Sequence, residues 1–398
     1  MKTNILISGL VLATVGTVLL YPTIRGNATA TTPKDPTNVI APVAAKRVEV
    51  VFVLDTTGSM GGLIHAAQEK IWSIASTLAQ AQQAPEISMG LVAYRDRGDA
   101  YVTQVIDLNK DLDSMYAQLM DFAADGGGDG PEAVNEGLEA AIHRMSWSQD
   151  PSVYKVVFLV GDAPPHMDYQ DDVKYPQVVA AAAAKGIVVN TIQCGGMSET
   201  VGPWQQIASL GHGRYFTVEQ AGSAVAIETP FDARIATLAA ELDGTRFYYG
   251  SDEERAAMDA KVAATTRLNE EASVGALARR GAFNASASGA TNFLGGRELV
   301  DDVASGRVDL AAVPPAALPA ALATLSPAEQ SAVIAENAEK REELQRQITT
   351  LASERDKYIE AEIKDSGGAA DSLDQQIYDA VREQAAPLGF EYEGGPKF

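Results

Sequence analysis

Residues 47–60 read RVEVVFVLDTTGSM, an apolar run that breaks into a polar, acidic loop. Arg47 to Leu54 is an almost unbroken run of β-branched and aromatic side chains, the pattern of a strand covered on both faces in a parallel sheet. The run ends in Asp55-Thr56-Thr57-Gly58-Ser59-Met60, so Asp55, Thr57 and Ser59 emerge together at a strand's carboxyl end ahead of a helical pattern over Leu63 to Ala81. A carboxylate and two hydroxyls at alternate positions suit a hard divalent cation that takes oxygen ligands, Mg²⁺ or Ca²⁺ rather than Zn²⁺. Taken by itself, the same short pattern is equally a helix cap, with hydroxyls satisfying the first backbone N–H groups.

Outward from this stretch, strand and helix periods alternate. Ile87 to Tyr94 and Tyr101 to Ile106 read as strands joined by a short charged turn, hence an antiparallel pair. Helical patterns over Leu112 to Phe122 and Glu132 to Met145 precede an apolar run, Tyr154 to Val160. Tyr175 to Lys185 reads as a helix closed by Gly186, followed by a strand at Ile187 to Ile192, a short helix near Trp204 to Leu210 and a strand at Arg214 to Val218. The expected fold class is α/β: a doubly wound, mainly parallel sheet with one antiparallel edge strand, whose sites lie at the carboxyl ends of the strands.

Two further acidic loops fall at those ends. Asp125-Gly-Gly-Gly-Asp129-Gly130-Pro131-Glu132 opens a helix, and Val160-Gly161-Asp162 ends a strand. Over residues 47–243 the three motifs, in this order, resemble the von Willebrand factor A domain with its metal-ion-dependent adhesion site. The resemblance implies a cation (Mg²⁺, or Ca²⁺ or Mn²⁺) held by Asp55, Thr57, Ser59, Glu132 and Asp162. Many A domains place a threonine in the second loop. Here Asp129-Gly130-Pro131-Glu132 is instead similar to the acidic loop of integrin β subunits, which implies Glu132 at the first site and Asp129, joined by Asp96 from Ala93-Tyr94-Arg95-Asp96, at a second. Gly61 and Gly62 stand where integrin β subunits carry an acidic pair, so a third site is not expected.

Five such groups need not fill a six-coordinate ion, and an open position can take a carboxylate from a protein partner. The expected function is therefore extracytoplasmic binding, adhesive or in envelope assembly, with a metal-dependent hydrolase as the alternative. Ser59 lacks the first glycine of a G-x-S-x-G elbow, since Thr57 stands there. Of four histidines, His65, His143, His166 and His212, only His166 lies near the proposed metal. The loop Asp162-Ala-Pro-Pro-His166 also resembles A domains attached to alpha-type kinases, but no glycine-rich nucleotide loop with a paired lysine follows. Arg97-Gly98-Asp99 matches the integrin-ligand tripeptide, in a turn where glycine and charges are expected in any case.

Composition sets the outer bounds. The 398 residues are 46% hydrophobic and 21% charged, with 53 acidic against 31 basic side chains and a net charge of −22. Such a chain has ample material for a core, and its charge makes nucleic acid an unfavourable partner. Lys2 precedes an uncharged apolar stretch, Ile5 to Leu20, and Ala28-Thr29-Ala30 fits a cleavage site. Residues 1–30 are a signal peptide or an N-terminal membrane anchor, the stretch being about four residues short of the roughly 20 that span a bilayer. Either way the expected location is secreted, periplasmic or at the cell surface. Cleavage there removes Lys2 and Arg25 and leaves −24. The single cysteine, Cys194, forms no intrachain disulfide and reads as a buried thiol.

Residues 31–46 read as a linker and 244–398 as a helix-rich region. That region has a helical stretch from Glu253 to Arg280, a break around Ala285 to Ala290, a boundary at Val313-Pro314-Pro315, a long helix over 326–366 begun by Ser326-Pro327-Ala328-Glu329 and stopped by Gly367-Gly368, and a shorter helix from Ser372 to Ala385. Leu344, Ile348, Leu351 and Tyr358 share one face of the long helix, for packing within the chain or for dimerisation. No chemistry-bearing cluster marks this half.

Overall fold

The computed structural model describes residues 45–128, 130–218, 227–365, 372–393 and 395–396. The apolar stretch Ile5 to Leu20, nearly all of the linker, Asp129 and the Gly367-Gly368 stop lie outside the described residues. Among the described residues no helix is long and apolar enough to cross a membrane.

Six strands, β1 (Arg47–Asp55), β2 (Glu86–Tyr94), β3 (Thr103–Asn109), β4 (Tyr154–Gly161), β5 (Ile187–Cys194) and β6 (His212–Val218), form one sheet in the order β3-β2-β1-β4-β5-β6. All pairings are parallel except β2 with β3 at the edge. The burial patterns explain the arrangement. Every residue of β4 is buried, as a central strand covered on both faces requires, whereas β3 is only partly covered along its length. The order reverses between β1 and β4, which places a crevice at the carboxyl ends of those two strands.

The helices of the first half are α1 (Leu63–Leu78), α2 (Leu112–Leu119), α3 (Val134–His143), α4 (Tyr175–Ala184), α5 (Ser198–Leu210) and α6 (Asp232–Asp243). Alternate residues of β1 feed opposite layers, as a period of two dictates. Val51 and Val53 pack with Leu138 of α3, Val178 of α4 and Ile207 of α5. Val50, Phe52 and Leu54 pack with Ile71, Trp72 and Leu78 of α1 and Met115 of α2. Helix α5 begins at Ser198, earlier than the stretch near Trp204 to Leu210 expected from the sequence. Pro203 lies inside the helix.

Beyond Asp243 the chain forms α7 (Asp252–Glu271), α8 (Val274–Asn284), the short α9 (Ala290–Leu294), α10 (Leu299–Ala304) and α11 (Ala320–Ala323), then α12 (Pro327–Asp365) and α13 (Leu373–Ala385). The expected single helix from Glu253 to Arg280 is two. Ala272 turns extended, and the Ser273 hydroxyl accepts from Ala276 N at 3.0 Å, starting a new helix. The long helix α12 starts with Ser326 and Glu329 exchanging side-chain to backbone hydrogen bonds. Its Leu344 and Ile348 are buried against Ile235, Leu238 and Leu242 of α6, so that face packs within the chain. Ile377, Tyr378 and Val381 of α13, with Phe390 and Tyr392, join the α1 face of the sheet core. Lys46 Nζ donates to Leu388 O at 2.6 Å beside the start of β1. The described residues from Ala45 onward thus form a single unit.

Candidate metal centre

The crevice between β1 and β4 collects four of the five first-site residues into one hydrogen-bonded chain. Asp55 is the last residue of β1, and its Oδ1 accepts from Thr57 N at 2.9 Å and Thr57 Oγ1 at 2.7 Å. Thr57 Oγ1 lies 3.1 Å from Ser59 Oγ, which donates to Asp162 Oδ1 at 3.0 Å. Asp162 follows β4 directly. Its loop is pinned to α5, because Thr200 Oγ1 donates to Asp162 O at 2.9 Å and Trp204 Nε1 to Ala163 O at 3.0 Å. Gly161 permits the approach: a Cβ there would stand 2.4 Å from the Tyr94 hydroxyl and 2.9 Å from Asp55 Cβ.

The second loop docks on the first through its backbone. Gly58 N donates to Gly126 O at 3.2 Å and Asp125 N to Thr56 O at 3.1 Å. Gly127 holds φ +76°, and a Cβ there would stand 3.1 Å from Glu132 Oε1 and 3.4 Å from Thr57 Cβ, so Glu132 reaches the edge of the Asp55 to Asp162 chain. Glu132 is itself fixed to the loop after Asp162: its N donates to Pro164 O at 2.9 Å and its carbonyl accepts from His166 N at 3.1 Å.

Burial sets the electrostatics. Asp55 is fully buried, which pushes its pKa up to about 7; the Thr57 hydrogen bonds oppose the rise and the charge of Asp162 adds to it. Burial also raises Asp162, against the hydrogen bond from Ser59. Neither carboxylate is ion-paired with a described lysine or arginine. Asp55 Oδ2 is buried with no hydrogen-bond partner among the described residues, and so is the Tyr94 hydroxyl. A bare buried carboxylate oxygen is costly unless neutralised. Among the described residues no three Asp, Glu, His or Cys side chains form one metal-sized group, so the convergent set is mixed, two carboxylates and two hydroxyls. That set fits a hard cation with oxygen ligands and does not fit a soft one. Cys194 lies buried nearby, its thiol pushed up to about 12 by burial and then by Asp162 and Asp55, which leaves it unreactive.

Asp96 does not join this chain. It is buried with Oδ2 3.3 Å from His166 Nε2 and both oxygens 3.3 Å from the Tyr169 hydroxyl, while His166 Nδ1 lies 2.7 Å from Asp168. Burial opposes protonation of His166, but Asp168 and Asp96 outweigh it and raise the pKa. Its ring stacks on Tyr169 at 4.0 Å. Asp129, the other second-site residue of the sequence reading, lies outside the described residues. Among the described residues, Ser59 Oγ meets Thr57 and Asp162, neither of which is a general base of the histidine kind.

Three supports were not visible in the sequence. Arg95 Nε donates to Thr56 O at 3.1 Å and its Nη2 to Ala123 O at 2.8 Å, while the guanidinium lies over the Tyr101 ring. Asp99 Oδ2 accepts from Asp96 N at 3.0 Å and Gly127 N at 2.9 Å, so it shapes the second loop. Arg97 pairs with Glu136, Asp171 and Asp172 and lies over Tyr169. Both charged ends of the Arg97-Gly98-Asp99 triplet are therefore engaged within the fold. A polar residue at a strand end is the only local signal for Arg95, and Asp99 has none.

Residues 49–230 match the family model described as von Willebrand factor A domain. Among curated proteins, an alpha-protein kinase, vwkA, of Dictyostelium discoideum is 28% identical over 124 residues, 31% of this chain and 19% of that protein. A putative ariadne-like RING finger protein of Acanthamoeba polyphaga mimivirus is 29% identical over 119 residues, 30% of this chain and 11% of that protein. The chain thus spans less than a fifth of the length of either relative. Similar solved structures include proximal thread matrix protein 1 from the mussel byssus, at 15% identity, TM-score 0.33, and coverage of 44% of this chain and 42% of that one. The same mussel protein with a zinc-occupied MIDAS motif is 19% identical with the same TM-score and coverage. With the sheet order, the switch-point crevice and the Asp55, Thr57, Ser59 and Asp162 loops in place, residues 49–230 of this chain are a von Willebrand factor A domain, a family whose members are generally interaction modules.

Proposed function

We propose that the domain binds a divalent cation through Asp55, Thr57, Ser59 and Asp162, with Glu132 beside them, and uses the ion to hold a carboxylate of a protein partner outside the cytoplasm. The carrying observation is Asp55 Oδ2, buried and without a hydrogen-bond partner among the described residues, at the end of a hydroxyl-linked chain to Asp162. A cation there neutralises two buried carboxylates, and its open position attracts an anionic group that the chain at −22 would otherwise repel. Mg²⁺ is the first expectation, with Ca²⁺ or Mn²⁺ as the other hard ions of this chemistry. The apolar stretch Ile5 to Leu20 supports export, as a cleaved leader or as an anchor.

The test uses the purified chain on a surface and glutamate-bearing against glutamine-bearing peptides as probes. Capture of the acidic peptides should require Mg²⁺, vanish with chelator and vanish in Asp55→Ala. Capture that survives chelation contradicts the proposal.

A further inference from the structure

The turn after β2, the first turn of α3 and the loop from Asp162 to Lys174 meet at one guanidinium. Arg97 Nη2 donates to Glu136 Oε1 at 3.1 Å and also to Asp172 Oδ1, while Nη1 donates to Asp171 Oδ1 at 2.8 Å. Two carboxylates therefore converge on one nitrogen, and the side chains of Glu136 and Asp172 are only 20% and 3% exposed. The second oxygen of each, Glu136 Oε2 and Asp172 Oδ2, is buried with no hydrogen-bond partner among the described residues. Ionised, both oxygens are acceptors and neither can satisfy the other. One proton held between them removes the conflict, because a carboxyl donates where a carboxylate accepts.

The surrounding charge leaves a place for that proton. Lys174 Nζ stands 3.8 Å from Asp172 Oδ2, beyond hydrogen-bond range, and donates to Tyr169 O. Glu139 on α3 turns to His143 at 3.3 Å, and Arg144, just past that helix, donates to Thr103 at 3.1 Å. The carboxylates of Glu136, Asp171 and Asp172 thus face the two cations Arg97 and Lys174, and one bound proton balances them. Burial, and next the hydrogen bond with Asp172, raise the pKa of Glu136 against the opposing effect of Arg97. The pair lines a cavity of about 370 Å³, through which the proton exchanges with solvent.

We propose that Glu136 and Asp172 share one proton and form a pH-sensitive latch, which holds the far end of the loop from Asp162 to Lys174 against α3 in mildly acidic medium and loosens it as the proton leaves. The near end of the loop is fixed by neutral groups, Glu132 N donating to Pro164 O at 2.9 Å and Thr200 Oγ1 to Asp162 O at 2.9 Å. Only the far end therefore answers to pH. The closed loop binds the extra proton, so falling pH favours it until the ordinary carboxylate range is passed.

The experiment is electron paramagnetic resonance of the full chain carrying a nitroxide on Val173→Cys, with chelator present so that no cation contributes. Val173 is 47% exposed and follows Asp172, and buried Cys194 leaves the new thiol as the one that reacts. The ratio of mobile to immobile label should rise about fivefold from pH 5 to pH 7.5. The same label on Val262→Cys, on α7, should not respond. Glu136→Gln puts an amide N–H₂ where the shared proton lies, so it should keep the Val173 label immobile at every pH, and Asp172→Asn should do the same. A flat ratio without these changes, an equal response at Val262, or a pH response retained by either amide variant would overturn the proposal.

Discussion

Replacing Asp113 by alanine should cost the protein about 3–5 kcal/mol, the range for breaking a buried ion pair from one side. Asp113 lies on α2, fully buried, and takes Arg280 Nε on Oδ1 at 2.7 Å and Arg280 Nη2 on Oδ2 at 2.6 Å. Arg280 comes from α8, 167 residues away, and is 1% exposed. Asn292 Nδ2 and Thr265 Oγ1 also donate to Asp113, at 3.2 and 3.1 Å. The variant leaves those donors short and leaves Arg280 with Asp243 alone, which accepts at 2.9 and 3.0 Å and keeps the loss from being larger. Urea unfolding at neutral pH measures the cost. Arg280→Ala in the same background should show a coupling energy of about 2–3 kcal/mol. The pH dependence has a definite sign. Burial alone would raise the pKa of Asp113, but Arg280 and Lys261 hold it well below the usual carboxylate range. A depressed folded pKa contributes stability that is present above the unfolded value near 4 and lost as pH falls through the folded value. The gap between wild type and variant should therefore be full at pH 5 to 7 and narrow only below about pH 4. A cost under about 1 kcal/mol, or strictly additive single variants, would refute the view that this pair joins the helical region to the A domain.

Other expectations follow from single contacts. Gly127→Ala forces a side chain into φ +76° with its Cβ 3.1 Å from Glu132 Oε1, so it should destabilise by about 1–2 kcal/mol and weaken Mg²⁺ binding, read by denaturation and titration calorimetry. Ile348→Ala should lower stability by about 2–5 kcal/mol without changing the mass seen by light scattering, because Ile348 packs on α6 of its own chain. The pKa of Asp55, raised by burial to about 7, means that protons compete with the cation. Mg²⁺ affinity should rise from pH 5.5 to pH 8, and binding near pH 6.5 should release protons into the buffer.

The fold was legible wherever one strand had to be covered on both faces. RVEVVFVL and YKVVFLV are apolar on both sides apart from Arg47, Glu49 and Lys155 near their starts, and the acidic residues that follow them stand out for that reason. Asp55, Thr57, Ser59 and Asp162 were legible for the same cause, each being close behind such a run. The supports were not. Arg95, Asp99, Thr200 and Trp204 act through backbone carbonyls and amides that become neighbours only after the sheet forms. The helical half hid its role for a related reason. Asp113 pairs with Arg280, and Ile377 and Tyr378 join the core cluster of Phe52, across long separations, and no local periodicity announces a partner that far along the chain. The break at Ala272-Ser273 carries a local signal, a serine cap followed by the weak helix formers Val274 and Gly275, inside a stretch that otherwise keeps helical spacing. Ser273 Oγ then accepts from Ala276 N at the start of α8.

Titration calorimetry of Mg²⁺ into the chelator-stripped chain, beside Asp162→Ala, reports on a cation at the ends of β1 and β4. One saturable site in the wild-type chain, absent from an Asp162→Ala variant that still melts cooperatively, is the expected result. Absence of binding in both, or the same isotherm in both, would contradict it.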